Sequence, residues 1–259
     1  MRLMVNHQTH YSYSDMASNS IQYIKMMPFD NAHQNIISWD ISVPGEKQIK
    51  RDAFNNLWMT SSQRFAYQQM TIMAQGIVEL NPRTENGLSD QMAPYLFLQP
   101  TPSTMCNAEM KEFAHRYVPI IHRENLMILA AAILEYMPYA PQTTDVNTSA
   151  IEAFQSGQGV CQDHSHVFIA MCKSLGVPAR YVSGYLYVPD MSHLASHAWV
   201  EVFLNEMWYC FDISNQLFKP SSHIYVAIGR DYWDVAPIRG VREQGGLETM
   251  QTIVQVLAC

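Results

Sequence analysis

The sequence is poor in charged residues and has no run of basic ones. Only 15% of its 259 residues are Asp, Glu, Lys or Arg, and the formal net charge is −7. Proteins that bind nucleic acids or anionic membrane surfaces usually carry a clustered basic patch. We therefore expect neither nucleic acid nor a membrane among the partners of this protein.

Long apolar runs are also missing. No stretch reaches the roughly 18 consecutive apolar residues that a transmembrane helix needs. The opening segment from Met1 to His7 turns polar too early for a signal peptide. These two absences predict a cytoplasmic location, and a hydrophobic content of 48% is enough to build a folded core.

The cysteines show no pairing pattern. They form no CxxC motif, and their odd number argues against a disulfide framework and a zinc knuckle. The five positions are Cys106, Cys161, Cys172, Cys210 and Cys259. Cys172 and Cys210 lie in apolar stretches and are expected to be buried and inert. Only Cys161 has unusual surroundings, because it follows the glycine-rich turn of residues 157–159.

No metal site is expected from the histidines near this cysteine. Asp163, His164 and His166 are close in sequence, but residues two apart on a helix point about 200° apart and cannot share one ion. We therefore predict neither a metal nor a cofactor.

The length favours two domains. Residues 1–80 consist mostly of short alternating stretches, such as His7–Tyr13 and Ile36–Val43, which predict an antiparallel β module. Turn-forming dipeptides are concentrated between Asn81 and Pro102, so we place the boundary near residue 100. This division gives an N-terminal β domain with its connecting segment at 1–100 and a second domain at 101–259.

The second domain begins with helical spacing and continues with period-two strands. Helices are predicted at 108–117, 124–136, 148–156 and 162–175, and strands at 179–188, 197–204 and 207–212. Helices followed by antiparallel strands indicate an α+β fold.

Three residues of this domain could form a nucleophilic centre. Cys161 begins a helix, where unpaired backbone N–H groups and the helix dipole favour a thiolate. His197 opens one strand, and Asp212 ends the next, so antiparallel pairing could bring them together. We expect Nδ1 of His197 to face Asp212 and Nε2 to face the thiol. Each residue taken alone would be an ordinary structural group.

The combination of motifs resembles the bacterial transglutaminase-like family. The motifs that carry the likeness are Gly159–Asp163, Leu175–Tyr185, Ser196–Val202, Trp208–Asp212 and, further along, Ile224–Gly240. The N-terminal module also looks like the β domain that often precedes the catalytic one. The resemblance implies a papain-like thiol fold with Cys161 as nucleophile, His197 as base and Asp212 as the orienting acid. The chain departs from the family pattern at Ile213-Ser214-Asn215 and at His164.

These observations predict an enzyme that acts on a peptide or protein amide through a thioester. Hydrolysis is favoured because water is abundant unless the site excludes it. Transfer to a second amine, as in a protein-glutamine transglutaminase, uses the same triad and remains an alternative. A third hypothesis is a non-catalytic module that holds a peptide in the same groove.

Two neighbouring residues have supporting roles in this hypothesis. Asp163 is expected to hydrogen-bond the glycine-rich turn at the helix start. Trp199 lies on the same face of its strand as His197, where it either shields the His–Asp contact from water or packs in the core.

Overall fold

The computed structural model describes residues 1–81, 87–189 and 196–259. Two antiparallel sheets lie side by side, and the helices pack on the second of them. The predicted α+β fold, with an N-terminal β module before the helical domain, is therefore confirmed. Residues 82–86 of the predicted connecting segment lie outside the described residues.

The first sheet is built around one long strand. Its first five strands are β1 (Arg2–Ile24), β2 (Gln34–Ser42), β3 (Glu46–Arg51), β4 (Leu57–Gln63) and β5 (Tyr67–Leu80). They are hydrogen-bonded in the order β2-β5-β1-β4-β3. In the first half of β1 every second side chain is buried, which matches the alternation in the sequence.

The hairpin between β3 and β4 forms where the Asn-Asn pair predicts a turn. Asn55 has a positive φ of 64°, a backbone conformation that Asn tolerates better than most residues. Asp52 Oδ1 accepts hydrogen bonds from the backbone N–H groups of Phe54 and Asn56, at 2.9 Å each. This Asx-type bonding stabilises the turn.

The helices of the second domain begin and end close to the predicted positions. They are α1 (Ala108–Tyr117), α2 (Arg123–Tyr136), α3 (Ala150–Ser156) and α4 (Cys161–Ser174). A further short helix, α5 (Tyr232–Val235), was not predicted. Helix α4 is buried from Asp163 to Lys173 and packs against the second sheet and the other helices. It is the central element of the largest hydrophobic core. In the part of the chain that the structure describes, no helix is long and apolar enough to cross a membrane.

The second sheet carries the strands on which the candidate site depends. Its members are β6 (Gly87–Leu88), β7 (Ala179–Leu186), β8 (His197–Leu204), β9 (Met207–Phe211) and β10 (His223–Gly229). They pair in the order β10-β7-β8-β9-β6, so β8 lies between β7 and β9.

The C-terminal hairpin of the chain joins the first sheet. Strands β11 (Ile238–Gln244) and β12 (Glu248–Ala258) both pair antiparallel with β1. The division at residue 100 assigned them to the second domain, whereas strand pairing places them in the first sheet. Residues distant in sequence meet there because β1 is long enough to pair with both strands along its two halves.

Side-chain amides of the N-terminal module bind the backbone of β10. Gln34 donates to the carbonyl of Tyr225 at 2.8 Å and accepts from its N–H at 2.7 Å. Asn56 makes the same pair of bonds with Ile228, at 2.7 and 2.8 Å. These two amides satisfy backbone groups at the edge of the second sheet, where no further strand follows in the pairing order.

Candidate active site

Cys161 is the first residue of α4 and is partly exposed. Gly157, in the left-handed conformation at φ 67°, ends α3 and starts the turn that leads into it. Asp163 Oδ2 accepts from the backbone N–H of Val160 and from the hydroxyl of Thr144, at 2.7 Å each. The predicted capping role of Asp163 is confirmed, and it fixes the turn that presents the thiol.

The strand pairing brings His197 and Asp212 together. His197 begins β8, and Asp212 directly follows β9, its antiparallel neighbour. The ring Nε2 lies 2.8 Å from Asp212 Oδ2. Since a carboxylate only accepts, the imidazole donates through Nε2.

This contact corrects the predicted assignment of the two ring nitrogens. The sequence-based expectation placed Nδ1 against Asp212 and Nε2 against the thiol. The structure has Nε2 bonded to the carboxylate, which leaves Nδ1 for Cys161. The order of residues along the chain sets which strands meet, but the side-chain rotamer decides which nitrogen faces which partner.

Asp212 is held by more donors than the sequence suggested. Asn215 donates its backbone N–H to Oδ1 at 3.1 Å and its side-chain amide to Oδ2 at 2.9 Å. His223 Nε2 lies 3.1 Å from the same Oδ2. Asn215 was visible in the sequence only as part of a departure from the family pattern. His223, eleven residues after Asp212, carried no sequence signal.

Electrostatics favour a charged pair at this site. Burial lowers the pKa of His197, but hydrogen bonds with Asp212 and Cys161 outweigh it and raise that pKa to about 10. Burial raises the pKa of Asp212, yet hydrogen bonds from His197 and His223 hold it well below its usual value. An imidazolium next to a helix N-terminus is the environment that stabilises a cysteine thiolate.

A pocket of about 240 Å³ opens on Cys161 and His197. One wall comes from α4 and the second sheet. The opposite wall belongs to the first sheet, where Thr9 of β1 pairs with Thr252 of β12. Among the described residues that line the pocket, none is Asp, Glu, Lys or Arg.

The other histidines near Cys161 have separate partners. His164 bonds the hydroxyl of Ser214 and the carbonyl of Met137, at 2.8 Å each. His166 Nε2 accepts from the backbone N–H of Tyr232 at 3.1 Å. His164 and His166 thus point to different surroundings, as the helical geometry predicts.

A different group, His197, Asp212 and His223, has potential ligand atoms within 4.8 Å of one another. In that group both histidines already donate to the carboxylate.

Trp199 packs against both histidines that contact Asp212. It is fully buried, its ring stacks on His197 with centroids 6.0 Å apart, and it meets His223 edge-on at 4.7 Å. Trp199 therefore belongs to the core and at the same time covers one side of the His197 ring.

The fold and the arrangement of these groups define a class of protein. A thiol at a helix start, beside an imidazole and a carboxylate from neighbouring antiparallel strands, is the arrangement of the papain-like thiol enzymes. A sequence model of the transglutaminase-like superfamily matches residues 119–213, and one of the bacterial transglutaminase-like N-terminal region matches residues 3–79. The chain is therefore similar to bacterial transglutaminase-like proteins in both its N-terminal and its central part.

Individual relatives match nearly the full length of the chain. The uncharacterized protein ML0607 of Mycobacterium leprae is 28% identical, with 98% of each chain covered. The uncharacterized protein Rv2569c of Mycobacterium tuberculosis is 26% identical over 93% of this chain and 87% of its own. A candidate cysteine protease from Cytophaga hutchinsonii superposes with a TM-score of 0.81 at 19% identity, covering 99% of this chain and 90% of its own. At that identity the likeness shows the fold alone.

Proposed function

We propose that this protein breaks amide bonds through a thioester on Cys161 and acts as a peptidase or amidase. The observation that carries the proposal is the position of His197. Its Nε2 bonds Asp212 at 2.8 Å, and its ring lines the same pocket as the Cys161 thiol.

The first half of the proposed reaction forms the acyl-enzyme. The Cys161 thiolate attacks the carbonyl carbon, and the C–N bond then breaks. Nδ1–H of the His197 imidazolium gives its proton to the departing amine, which leaves a neutral ring bonded to Asp212. The backbone N–H of Cys161 is the expected first donor to the oxyanion.

The second half releases the acyl group. Neutral His197 accepts a proton from water at Nδ1, and the hydroxide attacks the thioester carbonyl. The carbon–sulfur bond breaks, the carboxylic acid leaves, and the thiolate–imidazolium pair is restored. A primary amine in place of water would give a new amide instead, so transfer is the competing outcome with the same residues.

The proposal is tested with wild-type protein, Cys161→Ala and Cys172→Ala. A mixed peptide library and a labelled primary amine are added, and products are read by mass spectrometry. Cleavage by wild type and Cys172→Ala but not by Cys161→Ala supports hydrolysis. Amine-tagged products with the same dependence would replace hydrolysis by transfer.

The non-catalytic alternative has its own test. Cys161 of an enzyme should be alkylated rapidly at neutral pH and slowly after His197→Ala. Equal and slow labelling of both proteins, with peptides retained but not cleaved, would overturn the proposal in favour of a peptide-binding module.

A further inference from the structure

His223 lies behind the candidate triad and has no part in the reaction written above. It begins β10 and is fully buried. Its Nε2 lies 3.1 Å from Asp212 Oδ2, the oxygen that also bonds His197. Because the carboxylate can only accept, the proton of the His223 ring is on Nε2.

The other nitrogen of this ring shows that His223 is neutral. Nδ1 is buried and has no hydrogen-bond partner among the described residues. A second proton there would leave a charged donor unsatisfied in the core, which is far more costly than an unused lone pair. The titratable groups that act on the ring are Asp212 and His197 from the second sheet and His33 from the N-terminal module. Burial lowers the pKa of His223, so burial favours the neutral ring, as the unpartnered Nδ1 does.

The N-terminal module holds the backbone of His223. His33 is buried in that module, and its Nε2–H donates to the His223 carbonyl at 2.9 Å. The next residue, Gln34, bonds both backbone polar groups of Tyr225. The start of β10 is therefore fixed by side chains from the N-terminal module.

Three donors meet at a single oxygen of Asp212. His197 Nε2 lies at 2.8 Å, the Asn215 amide at 2.9 Å and His223 Nε2 at 3.1 Å. The N–H dipoles of Asn215 and His223 each offset part of the carboxylate charge that His197 experiences. Without His223, the carboxylate would be freer to rotate and its charge would act more strongly on the imidazolium.

We propose that His223 is a positioning residue, which orients Asp212 and moderates its charge, and that the N-terminal module reaches the triad through the contact between His33 and His223. This inference rests on the proposed function, since it assigns how the same triad is tuned. It gives the N-terminal module a second role besides forming a wall of the pocket.

The test compares alkylation of Cys161 by iodoacetate and by iodoacetamide as the pH is raised. Peptide mapping separates Cys161 from the other cysteines. Iodoacetate is an anion and iodoacetamide is neutral, so the imidazolium of His197 favours iodoacetate. The ratio of the iodoacetate rate to the iodoacetamide rate therefore falls as that ring loses its proton. His197→Ala should abolish this fall.

His223→Phe removes the donor, and His223→Gln keeps an N–H of similar reach. In His223→Phe we expect the midpoint of the fall to move up by about half to one pH unit, because the Asp212 charge is less offset. His223→Gln should return it to within about 0.3 pH unit of wild type. His33→Phe should shift it in the same direction by a smaller amount. His10→Phe, at a half-buried site on β1 where the ring bonds Thr71, should leave it unchanged.

A merely structural His223 would lower both labelling rates equally without moving the midpoint, and that result would overturn the inference. If His223→Phe fails to fold, ¹⁵N NMR of histidine-labelled wild type decides. The signals lost in His223→Gln should be those of a neutral Nε2–H ring throughout pH 6–9, and an Nδ1–H or protonated ring would refute the proposal. A wild-type ratio that depends on neither pH nor His197 would refute the proposed function itself.

Discussion

Gly184 of β7 pairs with His197 of β8, and it has no room for a side chain. A Cβ at this position would lie 1.9 Å from the carbonyl oxygen of Ile224 and 2.8 Å from the Trp199 ring. Ile224 of β10 and Trp199 of β8 can therefore come this close to the β7 backbone only because residue 184 is glycine. This contact links the backbone of the second sheet to the geometry of the candidate site.

Gly184→Ala should push β10 and Trp199 away from β7. Overpacking of this kind typically costs about 1–3 kcal/mol, which urea unfolding followed by fluorescence would measure. Gly87→Ala is the matched control, because the three atoms nearest to its Cβ would all belong to the Met207 side chain, none closer than 3.0 Å. Equal unfolding midpoints for the two variants would contradict the close contact at Gly184.

The contribution of His197 to stability should depend on pH. Its pKa is raised from 6.5 to about 10 in the folded protein, so folding favours the protonated ring. The stabilisation is fully present below pH 6.5 and is lost as the pH rises towards 10. We expect the difference in unfolding free energy between wild type and His197→Ala to shrink across this interval. A difference that is constant from pH 6 to 10 would show that the ring is not charged.

The contribution of Asp212 to stability should be lost at low pH, whereas that of His197 is lost at high pH. The pKa of Asp212 is held below its usual value by the hydrogen bonds with His197 and His223, which outweigh burial. The stabilisation is present above the unfolded value of 3.8 and is lost as the pH falls towards the folded value. Asp212→Asn should therefore flatten the acid limb of stability, measured by thermal unfolding between pH 2 and 6. An unchanged acid limb would contradict the prediction.

The bond between the two sheets can be tested at Gln34. Gln34→Ala would leave the buried N–H and carbonyl of Tyr225 without their side-chain partner. An unsatisfied buried group costs about 1–3 kcal/mol, and we expect a loss of that order in urea unfolding. Gln68→Ala removes an exposed amide bonded to Ser14 at 3.3 Å and should change stability by less than about 0.5 kcal/mol. A similar small loss for both variants would show that Gln34 does not secure β10.

The wall of the pocket formed by β12 should control access to Cys161. Thr252 lines the pocket. Gln251, the residue before it in β12, faces away because side chains alternate along a strand. Thr252→Arg should slow alkylation of Cys161 by a bulky peptide reagent at least about tenfold, since the long side chain fills a small pocket. Gln251→Arg adds the same charge on the other face and should stay within twofold of wild type. Equal rates for both variants would exclude β12 from the substrate path.

The sequence alone predicted much of the fold and the three candidate residues. Helix α1 was predicted at its observed bounds, and β8 likewise, because a period of 3.6 or 2 is a local property that survives in any tertiary context. The placement of Cys161 at a helix start and of His197 and Asp212 on consecutive strands follows from the same local patterns. The family motifs added the assignment of their roles.

Tertiary structure decided what these local patterns leave open. The C-terminal hairpin joins β1, the two histidines converge on one Asp212 oxygen, and Thr9 faces the pocket beside Thr252. Each contact joins residues whose meeting depends on strand register and side-chain rotamer. Neither quantity has a period that can be read along the chain, because both are set by packing of the two sheets against each other. The sequence therefore determined helices α1 to α4, strands β7 to β9 and the candidate nucleophile. The tertiary structure determined the ring nitrogen that faces the thiol and the role open to His223.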